Sequence, residues 1–182
     1  HRVLGDGHAI SGNLAGGTHH AFAGHGEGYC VFNDLAVCAR VALEDYGVRR
    51  VMIEDLDVHH GNGTAAIFAH EPRVFTFSMH GERNYPTRKP PSDLDIGLPD
   101  GTQDAGYLAI LHDALVTQLH AFQPELILYQ AGVDALACDT LGRLSLSADG
   151  LSARDALVLD YAHYWSCPVV LFMGICWVTT TC

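Results

Sequence analysis

The chain has 182 residues, of which 48% are hydrophobic and 17% charged, and this composition excludes an intrinsically disordered chain. Ten Lys and Arg residues against 21 Asp and Glu residues give a net charge of −11, which argues against direct binding of nucleic acid. No apolar run approaches the roughly 20 residues that cross a bilayer, so no membrane association is expected.

The length fits one ordinary domain, and we predict a single domain over residues 1–182. No basic segment followed by an apolar segment marks a signal peptide. The six cysteines show no CxxC spacing, and we interpret them as reduced thiols. These features predict an intracellular, cytoplasmic protein, or a nuclear one if the source is eukaryotic.

Apolar runs and segments with helical spacing alternate along the chain. In chain order, the patterns predict a helix at Asn33–Tyr46, strands at Val51–Ile53 and Val74–Phe77, a long proline-containing turn segment at Gly81–Gly101, a helix at Thr102–Phe122, a strand at Leu126–Tyr129, a helix at Ser152–Tyr164 and a strand at Val169–Phe172. The strands are continuous apolar runs, as in buried parallel sheets. The alternation predicts an α/β fold with a mainly parallel sheet flanked by helices.

Polar clusters directly follow two of the predicted strands. Asp55, Asp57 and His59 stand at i, i+2 and i+4, so a strand that continued through them would place all three on one face. Asp134 follows another strand, and the carboxyl ends of parallel strands are where sites form. We predict Asp57, His59 and Asp134 as the three protein ligands of a catalytic metal. An exposed acidic turn is the alternative interpretation.

Two glycine-rich segments carry further candidates. In the first, His19 and His20 are adjacent, and a carboxylate beside each ring would orient it for proton transfer near neutral pH. A pair of surface histidines is the alternative. In the second, Gly28 permits close approach of the backbone, and Tyr29 could form the wall of a pocket or be a half-buried loop aromatic.

Five motifs then occur in a fixed order: GGTHHA at Gly16–Ala21, GEGYCVFND at Gly26–Asp34, DLDVHHGNGT at Asp55–Thr64, YQAGVD at Tyr129–Asp134 and DTLGRLSLSADG at Asp139–Gly150. Together they resemble the histone deacetylase family of the arginase/deacetylase superfamily, in particular its bacterial and class IV-like members. The resemblance runs roughly from Gly12 to Gly174. It implies a deacetylase-like catalytic domain with a three-layer α/β/α architecture, here incomplete.

The resemblance implies a zinc-dependent amide hydrolase that removes acetyl or other acyl groups from N-acetyl-lysine of histones or other proteins. Asp57, His59 and Asp134 would bind Zn²⁺, and such a set of oxygen and nitrogen donors would also accept Fe²⁺. The implied partner is an acetylated lysine peptide or protein, or an acetylated small amine.

The resemblance also implies roles for the residues around the metal. His19 and His20 match the tandem histidines that act as general base and general acid, and Asp55 matches the partner of the first. The partner of the second is often Asp in the family but is Asn62 here, so His20 should be less basic than in Asp-bearing relatives.

Gly28, Tyr29 and Tyr85 match the substrate channel, with the two tyrosines as its aromatic walls. A structural K⁺ site is implied by the backbone near five residues, namely Asp55, Asp57, His59, Ser78 and Met79.

Two features depart from the family pattern. The family has a glycine-rich turn and an oxyanion-binding tyrosine after its next strand, whereas residues 175–182 contain no tyrosine. Loss of one such donor costs about 10²–10³ in rate. The elements that open the family's domain are also missing before His1, so we expect a chain truncated at both ends and impaired in activity.

Three other functions are alternatives to a lysine deacylase. A pseudoenzyme would bind an acyl-lysine or a partner without catalysis, and an acetylpolyamine amidohydrolase would act on an acetylated small amine. A ureohydrolase-like centre with two Mn²⁺ ions would need more carboxylate ligands than these motifs offer.

Overall fold

Helices and strands alternate along most of the chain. A computed structural model describes residues 1–7, 9–14 and 16–174. Within those ranges the helices are α1 (Arg2–Gly5), α2 (Asp34–Asp45), α3 (Asn62–Phe68), α4 (Asp104–Phe122) and α5 (Ala148–Tyr164). The strands are β1 (Ile10–Asn13), β2 (Val51–Asp55), β3 (Val74–Gly81), β4 (Leu94–Leu98), β5 (Leu126–Gln130) and β6 (Val169–Phe172).

These strands form one parallel sheet in the order β1-β6-β5-β2-β3-β4. Helices cover both faces, so the predicted α/β fold with a parallel sheet in three layers is confirmed. β2 and β5 are neighbours at the centre, although β3 and β4 lie between them in the sequence. At such a switch point the carboxyl ends of the strands form a crevice, which is the usual place for a site in an open α/β sheet.

Side chains that alternate along the central strands fill two separate cores. Val51 and Ile53 of β2 belong to the core that includes α1, α2 and α3. Met52 belongs to the core that includes α4 and α5. All residues of β2 and β5 are buried, which explains why Val51–Ile53 and Leu126–Tyr129 are continuous apolar runs rather than alternating ones.

The predicted central elements are confirmed, with shifts at their ends. β6 has the predicted bounds, and β2, β3 and β5 contain the predicted runs and extend beyond them. α5 begins at Ala148, four residues earlier than predicted, because the side chain of Ser147 caps it by accepting a hydrogen bond from the amide of Gly150 (2.9 Å).

The segment 81–101 is not a turn segment throughout, and that prediction is wrong in its second half. β4 lies there and pairs with β3 from Leu94 to Leu98. β4 is an edge strand whose side chains alternate between more and less exposed positions. A search for continuous apolar runs therefore missed it, and it also missed α1, β1 and α3.

Three other expectations concern features outside the sheet. Among the described residues, no helix combines the length and hydrophobicity that crossing a membrane requires. Cys30, Cys38 and Cys167 are free, but Cys138 is disulfide-bonded, so the expectation of six reduced thiols is wrong at that position. The departure from the family pattern at residues 175–182 lies outside the described residues.

Candidate metal centre and catalytic site

The three predicted metal ligands converge at the carboxyl ends of β2 and β5. Nδ1 of His59 lies 3.0 Å from Oδ1 of Asp57 and 3.0 Å from Oδ2 of Asp134. One donor atom from each residue lies within 4.8 Å of the other two. Both carboxylates are buried, and the imidazole is partly buried. Two carboxylates and an imidazole around one point form a donor set that suits Zn²⁺ or Fe²⁺.

The backbone does not bring these residues together in the predicted way. β2 ends at Asp55, and residues 57–59 form a bend rather than a continuing strand. Oδ1 of Asp57 accepts a hydrogen bond from the amide of His59, and Oδ1 of Asp134 accepts one from the amide of Val58, both at 2.9 Å. Asp134 thus links the loop after β5 to the loop after β2. The ligands converge through these side-chain contacts and not through one strand face.

The electrostatics of the three ligands favour positive charge between them. Burial alone would lower the pKa of His59, but hydrogen bonds to Asp134 and Asp57 outweigh it and raise the pKa to about 10. Burial raises the pKa of Asp134 to about 7. Against the effect of burial, His19 and His59 hold the pKa of Asp57 well below its usual range. A site that stabilises positive charge at this point has the property that cation binding requires.

His19 and His20 are buried beside the metal-ligand set, with 2% and 7% exposure, so they are not surface histidines. Their ring centres are 4.1 Å apart. Nδ1 of His19 donates to Oδ2 of Asp55 at 2.6 Å, and its Nε2 lies 3.8 Å from Oδ1 of Asp57. Burial lowers the pKa of His19, but the two carboxylates outweigh it and raise the pKa to about 9. The two carboxylates therefore favour the protonated form of the His19 ring.

His20 is held by an amide instead of a carboxylate. Its Nδ1 lies 2.6 Å from Oδ1 of Asn62. Nδ2 of Asn62 donates to Oε1 of Glu27 at 2.7 Å, and the hydroxyl of Tyr85 donates to the same oxygen at 2.6 Å. Burial and the positive charge of His19 lower the pKa of His20 to about 3. The His20 ring is therefore neutral at neutral pH.

A pocket of about 570 Å³ leads to the metal-ligand set. The ring of Tyr85 meets the ring of His20 edge to face, with 5.0 Å between their centres. The lining includes the three candidate metal ligands and both histidines, together with Gly16, Gly17, Thr18, Gly28, Tyr29, Cys30, Arg83, Asn84, Tyr85, Leu141 and Arg143. All three residues that the sequence analysis placed in the substrate channel therefore line this pocket.

Gly28 and Tyr29 take backbone conformations that L side chains rarely adopt, with φ of +54° and +64°. A Cβ on residue 28 would lie 2.4 Å from Cδ2 of His20, so only glycine lets the chain pass so close to that ring. Tyr29 is 95% exposed and stands at the mouth of the pocket. The left-handed conformation of a tyrosine costs about 1–2 kcal/mol, and strain of this kind concentrates at functional sites.

The predicted K⁺ site involves the ends of β2 and β3. Asp55 and Ser78 are partners in the parallel pairing of these strands, so the two segments lie side by side. Occupation by K⁺ stays a prediction.

A second cluster of metal-binding residue types, His60, His80 and Asp95, was not identified from the sequence. Nε2 of His60 lies 3.0 Å from Oδ1 of Asp95, and Nδ1 of His80 lies 3.0 Å from Oγ of Ser78. The amide of His60 donates to the carbonyl oxygen of Tyr85 at 3.2 Å. Through His60, these contacts link the backbone at Tyr85 to Asp95 of β4.

Comparison with known proteins places the chain in a family. The model of the histone deacetylase domain matches residues 1–174. An uncharacterized protein of Picosynechococcus sp. is 48% identical over 167 residues, which cover 92% of this chain and 56% of the relative.

Two relatives with assigned names are more distant. Histone deacetylase 2 of Arabidopsis thaliana is 37% identical over 162 residues, covering 87% of this chain and 42% of the relative. A histone deacetylase-like amidohydrolase of Pseudomonas aeruginosa is 35% identical over 158 residues, covering 80% of this chain and 41% of the relative. The chain thus spans between 41% and 56% of the length of these three relatives.

Proposed function

Because this chain belongs to the histone deacetylase family, we propose that it is a metal-dependent amide hydrolase that removes acetyl or other acyl groups from lysine side chains of proteins. The observation that carries the proposal is the convergence of Asp57, His59 and Asp134 beside the buried pair His19 and His20. A metal-ligand set next to two imidazoles supplies both parts of the machinery that metal-assisted hydrolysis needs.

Asp57, His59 and Asp134 would hold Zn²⁺, and their donor types would also accept Fe²⁺. When bound there, the ion would polarise the acyl carbonyl and lower the pKa of a bound water. All three ligands line the pocket, which is consistent with a catalytic site that keeps one position open for substrate.

The contacts of Asn62 support His20 as the general base. Nδ2 of Asn62 donates to Glu27, so its Oδ1 faces His20 and can only accept. Nδ1 of His20 must then carry the ring proton, and Nε2 is left with its lone pair. A neutral ring with a free Nε2 is suited to accept a proton from water. Glu27 would thus act through Asn62 as a positioning residue for His20.

The proposed reaction transfers one proton from water to the histidine pair and one proton from the pair to the lysine nitrogen. A water molecule gives a proton to Nε2 of His20 while its oxygen bonds to the acyl carbon. The bond between that carbon and the lysine nitrogen then breaks, and the nitrogen takes a proton from the histidine pair, yielding a free carboxylic acid and lysine. Positively charged His19, held by Asp55, would stabilise negative charge that develops beside it.

The pocket walls support an acylated lysine as the substrate. The ring of Tyr85 and the backbone at Gly28 both flank His20, so the methylene chain of a lysine would pass between an aromatic face and a glycine surface. An acetylated polyamine presents the same acetylated amine on a narrow chain and is the alternative substrate.

The test combines metal content and turnover of the purified chain. We expect one Zn²⁺ per chain and release of acetate from an acetyl-lysine peptide. Asp134→Ala should lose the metal, because two remaining protein ligands are too few for a stable catalytic site. Asp113→Asn, at an exposed position on α4, should keep it. A wild-type chain without bound zinc at neutral pH, or unchanged zinc affinity in Asp134→Ala, would contradict the proposal.

A second candidate is binding of acyl-lysine without turnover, for which the same pocket and metal-ligand set would serve. An oxyanion-binding tyrosine would stabilise the transition state without being needed to hold the substrate. Zinc-dependent binding of the peptide with no acetate released would support this candidate and contradict the hydrolase. Release of acetate, even at a low rate, would support the hydrolase.

A further inference from the structure

Arg154 on α5 is a fully buried arginine that the sequence analysis did not single out. Its Nη1 atom donates to the carbonyl oxygen of Leu56 at 3.2 Å and to that of Gly132 at 2.7 Å. One guanidinium nitrogen therefore joins two carbonyl groups from different loops. Carbonyl dipoles that point toward a common centre repel each other, so a cationic donor between them stabilises their close approach.

The two carbonyl groups belong to the loops that carry the candidate metal ligands. Leu56 directly precedes Asp57 after β2, and Gly132 lies two residues before Asp134 after β5. The loops approach closely at this point, since a Cβ on residue 132 would lie 2.8 Å from Cα of Asp57. A change in the spacing of the two carbonyl groups would therefore move Asp57 relative to Asp134.

The guanidinium is oriented by residues outside the two loops. Nε of Arg154 donates to Oδ1 of Asp155 at 2.9 Å, and the hydroxyl of Tyr129 donates to the same oxygen at 2.5 Å. The central carbon of the guanidinium lies 5.9 Å from the centre of the Tyr129 ring. The side chain of Asp155 is partly exposed, so it balances the buried charge from the edge of the core.

We propose that Arg154 is a positioning residue for the metal centre, whose Nη1 sets the separation of the loops after β2 and β5 and hence of Asp57 and Asp134. This inference rests on the proposed function, which makes those two aspartates metal ligands. Lysine cannot reproduce the contact, because its single ammonium nitrogen cannot hold the two carbonyl groups and Asp155 in a fixed plane as a guanidinium does.

The test measures the metal centre itself in the purified full chain. The variants are Arg154→Lys, Asp155→Ala and the control Arg40→Lys, whose side chain is exposed and pairs with Glu71 at 2.9 Å. Each is loaded with Zn²⁺ for affinity measurement against a chelator and with Co²⁺ for its visible absorption spectrum. Arg154→Lys should weaken zinc binding by about 10-fold or more and change the Co²⁺ spectrum, as loss of an outer partner of a metal site does.

Asp155→Ala should also weaken zinc binding and change the Co²⁺ spectrum, whereas Arg40→Lys should change neither. A folded Arg154→Lys chain with unchanged zinc affinity and an unchanged Co²⁺ spectrum would overturn the inference. If circular dichroism shows that Arg154→Lys does not fold, the same two measurements on Asp155→Ala decide, and no change in either of them would overturn the inference. Failure of the wild-type chain to bind zinc would overturn the proposed function as well, so the two failures are distinguishable.

Discussion

Oδ1 of Asn62 lies 2.6 Å from Nδ1 of His20, and this amide stands in a position equivalent to that of the Asp55 carboxylate beside His19. Burial and the charge of His19 lower the pKa of His20, and the hydrogen bond to the Asn62 amide offsets them only in part. The pKa of His19 is raised to about 9, whereas the pKa of His20 is lowered to about 3. With an amide at position 62, His20 lacks the carboxylate partner that raises the pKa of His19.

A carboxylate at position 62 should raise the pKa of His20. In Asn62→Asp, the new carboxylate would face Glu27, so we combine it with Glu27→Gln, which supplies an amide donor to the aspartate. An ionised carboxylate within hydrogen-bond distance should raise the pKa of His20 by about 1–3 units. NMR titration of the ring measures this, and the acidic limb of any pH–rate profile should move to higher pH.

Glu27→Gln alone is the matched control for that double variant and should not raise the pKa of His20. An unchanged titration of His20 in the double variant would show that Asn62 does not control its charge.

Gly63→Ala should destabilise the protein, although alanine normally favours a helix over glycine by about 1 kcal/mol. A Cβ on residue 63 in α3 would lie 2.2 Å from the carbonyl oxygen of Ala21 and 2.6 Å from the carbonyl carbon of His20. The loop that carries the two histidines must then move, which should cost about 1–3 kcal/mol in the free energy of unfolding, as overpacking does.

Denaturant unfolding measures the effect of Gly63→Ala, and binding of an acetyl-lysine peptide should weaken in parallel. Gly24→Ala is the control, because a Cβ there meets nothing within 4 Å. Equal stability of Gly63→Ala and the wild type would show that the loop can shift without cost.

Tyr85 should contribute to peptide binding through its ring more than through its hydroxyl. Tyr85→Ala removes the ring that meets His20 at 5.0 Å, and we expect about 10-fold weaker binding of an acetyl-lysine peptide. Tyr85→Phe keeps the ring and loses only the bond to Glu27, so its dissociation constant should change by about 2-fold at most. Fluorescence anisotropy distinguishes the two, and wild-type affinity in Tyr85→Ala would refute the role of the ring.

Glu54 should make the protein less stable as the pH rises. Its side chain is fully buried, and neither carboxylate oxygen has a hydrogen-bond partner among the described residues. Burial raises its pKa from 4.5 to about 8, although Arg154 on α5 opposes the shift, and Tyr107 on α4 is the other titratable group that faces it.

The folded state therefore keeps a proton that the unfolded chain loses above pH 4.5, so stability falls between that pH and about 8, by up to about 1.4 kcal/mol per pH unit. Glu54→Gln removes the titration, and the difference between the two unfolding curves should show this slope. Glu44→Gln, at an exposed position on α2, should follow the wild type. If the difference in the free energy of unfolding between the wild type and Glu54→Gln does not change with pH, the raised pKa of Glu54 is contradicted.

The fold could be predicted as far as its central strands because burial on both faces leaves a simple pattern. Val51–Ile53 of β2, Leu126–Tyr129 of β5 and the whole of β6 are runs of apolar residues, and such runs need no knowledge of neighbours to be recognised. β4 has the sequence LDIGL, which alternates because an edge strand packs on one side only. A search for alternation would have found it inside the proline-rich segment.

The candidate site could be predicted in its residue types but not in its supporting contacts. The spacing of Asp57 and His59 was informative even though the strand does not continue through them. Glu27 lies in one of the motifs, yet its role depends on an amide that comes 35 residues later. Arg154 lies in a helix with an ordinary helical pattern, and only the packing of α5 against the loops after β2 and β5 buries it.

The order of strands in the sheet has a consequence for synthesis of the protein. β5 joins the free side of β2 only after β3 and β4 have been made, so a nascent chain that ends at β4 contains Asp57 and His59 but not Asp134. Parallel pairings between segments distant in sequence also form slowly. If Asp57, His59 and Asp134 hold a metal ion as proposed, the complete set of ligands forms only after β5 and the loop that follows it have been synthesised.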